Sequence, residues 1–151
     1  MRYSEKISQK LNDLLTLTYD AKRGYSLAAE KVENPAIKKF LEDKANQRCN
    51  FGQELKSEIL TYGQLSEDSG SIKGEFHRAW MKFVSTFSSN ETEKLLDEVE
   101  RGEKKILSAY KDILENKEWI LPNSTRDLLS NQRHDIEKAL ETSRMYEEVL
   151  S

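Results

Sequence analysis

The chain is poor in the residues that staple, break or anchor a protein. Cysteine occurs once, at Cys49, so no internal disulfide can form and a cytoplasmic protein is expected. Proline occurs only twice while charged residues reach 34 %, a balance that suits long solvated helices. The longest apolar runs are a few residues, too short to span a bilayer. Residues 1–15 carry no signal-peptide core, because Ser, Gln, Lys, Asn and Asp interrupt them throughout. Charge of neither sign dominates: 24 Lys plus Arg stand against 27 Asp plus Glu. The net charge of −3 points to neither nucleic acid nor an anionic membrane as partner. No Gly-rich phosphate loop, nucleophile elbow or zinc spacing occurs.

What the chain does have is helical periodicity over a length, 151 residues, that suits one domain across 1–151. Ile7, Leu11, Leu14, Thr18, Ala21, Tyr25, Ala28 and Val32 recur at steps of three and four, predicting a helix from about Ser4 to Glu33. Asn34-Pro35 ends it and starts the next, Asn as cap and Pro in the first turn. The second stripe runs Ile37, Leu41, Ala45, Arg48, Phe51, Leu55, Ile59 and Tyr62, with Gly63 as a natural stop. So short a connection makes these two helices antiparallel. A third begins at an Asn90/Glu93 capping-box pattern and presents Leu95, Val99, Gly102, Ile106, Ala109 and Ile113. After the apolar corner Trp119-Ile120-Leu121-Pro122, a fourth begins near Ser124. It shows Leu129, Gln132, Ile136, Ala139, Ser143, Tyr146 and Leu150.

The connection from Gln64 to Ser89 is far longer than most, so structure of its own is expected there. Ile72, Phe76, Trp80, Phe83 and Phe87 predict a short fifth helix, residues 72–87, long enough to carry the chain back along the bundle. Helices two and three would then run parallel. The fold expected is an all-α, ferritin-like four-helix bundle with one long crossover. A large decorated loop between antiparallel helices is the alternative.

A dimetal centre in such a bundle needs inward Glu from two helices and Glu-x-x-His from the other two. Asp13, Asp20 and Glu30 fall opposite the first stripe, and Glu42, Glu54 and Glu58 precede Ala45, Ser57 and Thr61 at the three-residue step. His134 lies on an outer face and His77 in the crossover. No cofactor is expected; iron or manganese is the alternative, with Glu100 and Glu103, one turn apart, as weak candidates. The stripes do hold polar exceptions near mid-height: Thr18, Arg48 and Gln132, with Glu103 beside them. A buried Arg must be paired. Glu103 is the evident partner, with Gln132 and Tyr25 or Tyr110 filling the remaining capacity. Such a cluster reads as a buried polar network that sets helix register, as Arg48 reaching outward to solvent, or as an unusual ligand centre. Phe76, His77, Trp80 and Phe83 are the candidate contact of a homodimer formed through the crossover.

Several stretches together resemble a known family. They are Gly24-Tyr25…Ala28-Ala29-Glu30, Ala45…Arg48…Phe51, Asp68-Ser69-Gly70-Ser71…Gly74…His77-Arg78…Trp80, Glu100-Arg101-Gly102-Glu103, Leu121-Pro122 and Gln132. Over roughly residues 8–140 they resemble a bacterial domain-of-unknown-function family of ferritin-like four-helix-bundle proteins. The resemblance implies the bundle and no activity. Lys104 and the divergent Leu140–Ser151 depart from the pattern. The functional expectation is a non-enzymatic cytoplasmic interaction or stress-associated protein. The alternative is a metal-binding, di-iron-type oxidase or iron store.

Overall fold

The computed structural model describes residues 3–63, 78, 82, 85–87, 90–118 and 120–150. Among them are four long helices and no strand: α1 (Tyr3–Lys31), α2 (Pro35–Tyr62), α3 (Thr92–Leu114) and α4 (Asn123–Leu150). The α1–α2 turn closes as its residues dictate. The Asn34 side chain accepts from the backbone N–H of Ala36 at 3.0 Å and Ile37 at 3.1 Å, and Pro35 occupies the first turn. Lys38 reaches back to donate to the Ala29 carbonyl at 2.7 Å, satisfying a C-terminal acceptor of α1.

Helix α1 packs on α2 and α3, and α4 packs on the same two, so α2 and α3 sit across the bundle diagonal. Directions follow from the paired residues. Tyr62 of α2 meets Thr125 near the start of α4, and Phe40 meets Tyr146 near its end, so α2 and α4 are antiparallel. Lys10, Asp13 and Leu14 lie against Ala109–Asn116, whereas Asp20–Tyr25 lie against Glu98–Ile106, so α1 and α3 are antiparallel too. Since α1 also opposes α2, helices α2 and α3 run parallel. The expected helix over 72–87 lies mostly outside the described residues, and of that segment Phe87 is buried in the core.

The core divides in two. One cluster holds Ile7, Leu11, Leu14, Phe51, Leu55, Ile59, Ile106, Ile113, Leu129 and Ile136. The other holds Tyr25, Ala28, Val32, Ile37, Phe40, Leu41, Ala45, Leu95, Leu96 and Val99. Arg48 and Glu103 fall between them in sequence on both helices. Close approach of α1 and α2 depends on Gly52, where a Cβ would stand 3.1 Å from the Tyr19 ring.

Gly63 ends α2 where expected, donating to the Ile59 carbonyl; its φ of 173° is extended backbone open to any residue. Three local expectations are corrected. Helix α3 begins at Thr92 with Glu91 in the cap position, one residue after the expected Asn90. The buried seam of α3 runs through Glu103 and Tyr110 and not through Gly102 and Ala109, because α3 faces both α1 and α4. For the same reason Asp20 is buried: α1 is covered by two neighbours and hides a wider arc than its apolar stripe.

The cap at Asn34 has a measurable worth. Asn34→Ala removes the acceptor of two helix-start N–H groups and should cost about 1 kcal/mol in urea unfolding, with the m-value unchanged.

Candidate functional site

At mid-height the bundle is crossed by an ion pair. Arg48 Nη1 donates to Glu103 Oε1 at 2.6 Å and Nη2 to Oε2 at 2.5 Å, a fork-to-fork pair with 1 % and 2 % side-chain exposure. The guanidinium carbon lies 5.3 Å from the Tyr25 ring centroid and 5.7 Å from that of Phe51, which adds cation–π attraction. Nε donates to Gln47 Oε1 at 3.3 Å. Burial works against the charge on Arg48, but the carboxylate of Glu103 outweighs it and holds the guanidinium above its ordinary pKa.

The other inward polar residues sit around this pair in a definite order. The Tyr110 hydroxyl donates to Gln132 Oε1 at 2.7 Å, and Gln132 Nε2 turns to the Phe51 carbonyl at 3.5 Å and Glu54 Oε1 at 3.3 Å. Gln132 thus bonds to Tyr110, Phe51 and Glu54 and not to Arg48. Thr18 donates to the Leu14 carbonyl at 2.7 Å and stands beside the Tyr110 hydroxyl. The Tyr25 hydroxyl lies against the ion pair, its pKa pushed well up by burial and by the charge of Glu103. Burial likewise raises that of Tyr110. Beside Tyr25 and Glu103 the α1–α3 seam leaves about 30 Å³, room for a water and not for an organic substrate.

Glu100 and Glu103, one turn apart on α3, point to different places. Glu103 goes to Arg48. Glu100 is buried toward α4, where it meets Glu147, with Asp97 on its own helix beside it; the three carboxylates approach within 4.8 Å of one another. Arg144 Nε stands 4.0 Å from Glu100 Oε2. Burial first, then the neighbouring Glu147, raises the Glu100 pKa to about 7. Burial also lifts Asp20 to about 6 against the pull of Arg23. Sequence reasoning missed Asp20, Asp97 and Glu147; the three-residue step from Asp97 to Glu100 was the available signal for one of them. Phe76, His77, Trp80 and Phe83 of the expected crossover contact lie outside the described residues.

With this geometry in place, comparison with known families is informative. Residues 6–116 match the family model described as Domain of unknown function (DUF2383). The chain belongs to the DUF2383 family. No curated protein matches it. The DUF2383 match spans α1, α2 and α3, and hence Tyr25, Arg48 and Glu103, and stops before α4 and its Gln132 and Glu147.

Two predictions test the site. Arg48→Met leaves the Glu103 carboxylate buried without its cation and should cost about 3–5 kcal/mol. Arg48→Met with Glu103→Leu should recover much of that loss, as read by thermal or urea unfolding of both variants beside wild type. The second concerns pH. Both Asp20 and Glu100 have folded pKa values above their unfolded ones, so the fold binds the extra protons. Their contribution is fully present below about pH 4 and is lost as pH rises toward 7. Glu100 is faced by Asp97 from α3 and by Arg144 and Glu147 from α4, which set its part of the slope. Unfolding free energy measured from pH 4 to 8 should therefore fall more gently in Glu100→Gln than in wild type.

Proposed function

We propose that this DUF2383 protein is a ferritin-like bundle that serves as a non-enzymatic interaction protein in the cytoplasm. The observation that carries this reading is the Arg48–Glu103 pair at the centre of the bundle. A di-iron-type protein places a dimetal centre among its four helices, with inward carboxylates and histidines. Here a guanidinium stands in that region, and both Glu103 oxygens are committed to it. His134 is exposed on α4. The donor set does not fit a pair of iron or manganese ions, whose charge the guanidinium would repel. Among the described residues, the gap beside Tyr25 and Glu103 in this layer has room for a water and not for an organic substrate.

Surface chemistry favours contact with other proteins. Ile120 is 83 % exposed and Val149 82 %, with Met145 one turn before Val149 on α4. The aromatic spacing of Phe76, Trp80 and Phe83 adds a crossover segment suited to a second copy of the chain. No described helix is long and apolar enough to cross a membrane.

Protein purified from iron-supplemented culture decides between the readings. After dialysis, elemental analysis should find no stoichiometric iron, and oxidation of added ferrous ion should match the buffer alone. Iron retained at one or two per chain would overturn the proposal in favour of an oxidase or store. Sedimentation equilibrium addresses the pairing: a mass near twice 17.6 kDa is expected, and 17.6 kDa at high concentration would remove the homodimer.

A further inference from the structure

Away from the central layer, α3 and α4 bring three acids together. Asp97 and Glu100 stand one turn apart on α3, and Glu147 comes from the last turns of α4. One oxygen from each lies within 4.8 Å of the other two. Exposed acids that crowd like this usually relax outward into water. Glu100 cannot, because it is only 7 % exposed. Its Oε1 is fully buried, and among the described residues no donor reaches it. With Glu100 and Glu147 both ionised, a buried carboxylate oxygen without a donor is costly, and the described residues supply none to Oε1. The two nearby guanidinium groups do not supply one. Arg144 stays 4.0 Å from the other oxygen, Oε2, and is half exposed. Arg101 stands 4.0 Å from Asp97 and turns to Glu98 at 3.4 Å.

We propose that Asp97, Glu100 and Glu147 form a binding site for one hard divalent cation of calcium's size. Three carboxylates and no histidine or thiolate make an oxygen-only donor set, which selects hard ions. Calcium takes about six to eight oxygen ligands in flexible geometry, whereas Mg²⁺ demands a regular octahedron that three crowded side chains from two helices do not offer. Asp97 and the half-buried Glu147 leave the outer side open for water ligands. The cation would neutralise the cluster and remove the repulsion between Glu100 and Glu147. It would also tie the last turns of α4 to α3. This site is separate from the Arg48 layer, so it stands whether or not the central bundle lacks iron.

The test is calorimetric titration of the full chain with Ca²⁺ at pH 7.5 and low ionic strength, after treatment with chelator. One Ca²⁺ per chain is expected, together with a Ca²⁺-dependent rise in the melting temperature. Glu147→Gln should weaken binding by about tenfold or more and abolish that rise. Arg144→Gln removes the competing cation and should bind Ca²⁺ more tightly than wild type. Glu137→Gln, an exposed acid elsewhere on α4, should bind as wild type does. Circular dichroism of each variant establishes that it is folded. No saturable heat at millimolar Ca²⁺ would overturn the proposal. So would equal binding by Glu147→Gln, or a stoichiometry of several ions per chain with no site preference. A stronger response to Mg²⁺ than to Ca²⁺ would overturn the assignment of size.

Discussion

Everything at the centre of this bundle depends on one charge having a partner. Arg48 comes from α2 and Glu103 from α3, helices on opposite corners that share few backbone contacts. Their side chains reach across the diagonal and meet in a region where neither could exist alone. A pair of this kind is not a strong source of stability, since desolvating both ions consumes much of what their attraction returns. Its larger effect is on register. Sliding α3 by one turn, about 5.4 Å, would leave a guanidinium and a carboxylate buried and unpaired. The apolar layers above and below would tolerate that slip far better. The two core clusters on either side of the pair are therefore held in one alignment by the layer between them.

The surrounding residues extend the same constraint to the remaining helices. Tyr25 of α1 covers one face of the guanidinium, and Phe51 of α2 lies near it as well. Tyr110 of α3 bonds to Gln132 of α4, which in turn bonds to α2. All four helices thus contribute to one polar stratum about a turn or two thick. Most of its donors and acceptors bond to one another within the layer.

Much of this was legible in the sequence because it rests on periodicity. The stripes of α1 and α2 locate Arg48 and Thr18 among apolar neighbours, and a buried Arg compels a search for an acid at the same height. The antiparallel first pair follows from Asn34-Pro35, and the length of the later connection implies the parallel α2 and α3. What failed to show was breadth. A stripe marks the centre of a buried face, not its width, so Asp20 was assigned to solvent although α3 covers it. On α3 the expected Leu95, Val99, Ile106 and Ile113 are buried, but the face also takes in Glu103 and Tyr110 and leaves Gly102 and Ala109 only partly covered. The start of α3 also differs locally, since the cap position falls at Glu91, one residue after Asn90.

The acidic group at Asp97, Glu100 and Glu147 was hidden by a different limit. Two of its members lie on one helix, but the third, Glu147, comes from another, and only packing of α4 on α3 brings it in. A helix that must choose which face to bury can conceal a carboxylate at its edge, where apolar stripe and solvent meet. Glu100 occupies that edge. Its neighbours Leu96 and Val99 draw it inward with the seam, while Asp97 and Arg101 remain outside. Helix α3 therefore carries two buried acids with opposite fates three residues apart. Glu103 is held fork-to-fork by a buried guanidinium, whereas Glu100 meets Glu147 and Asp97 with only the half-exposed Arg144 at 4.0 Å, which is why the two point to different centres.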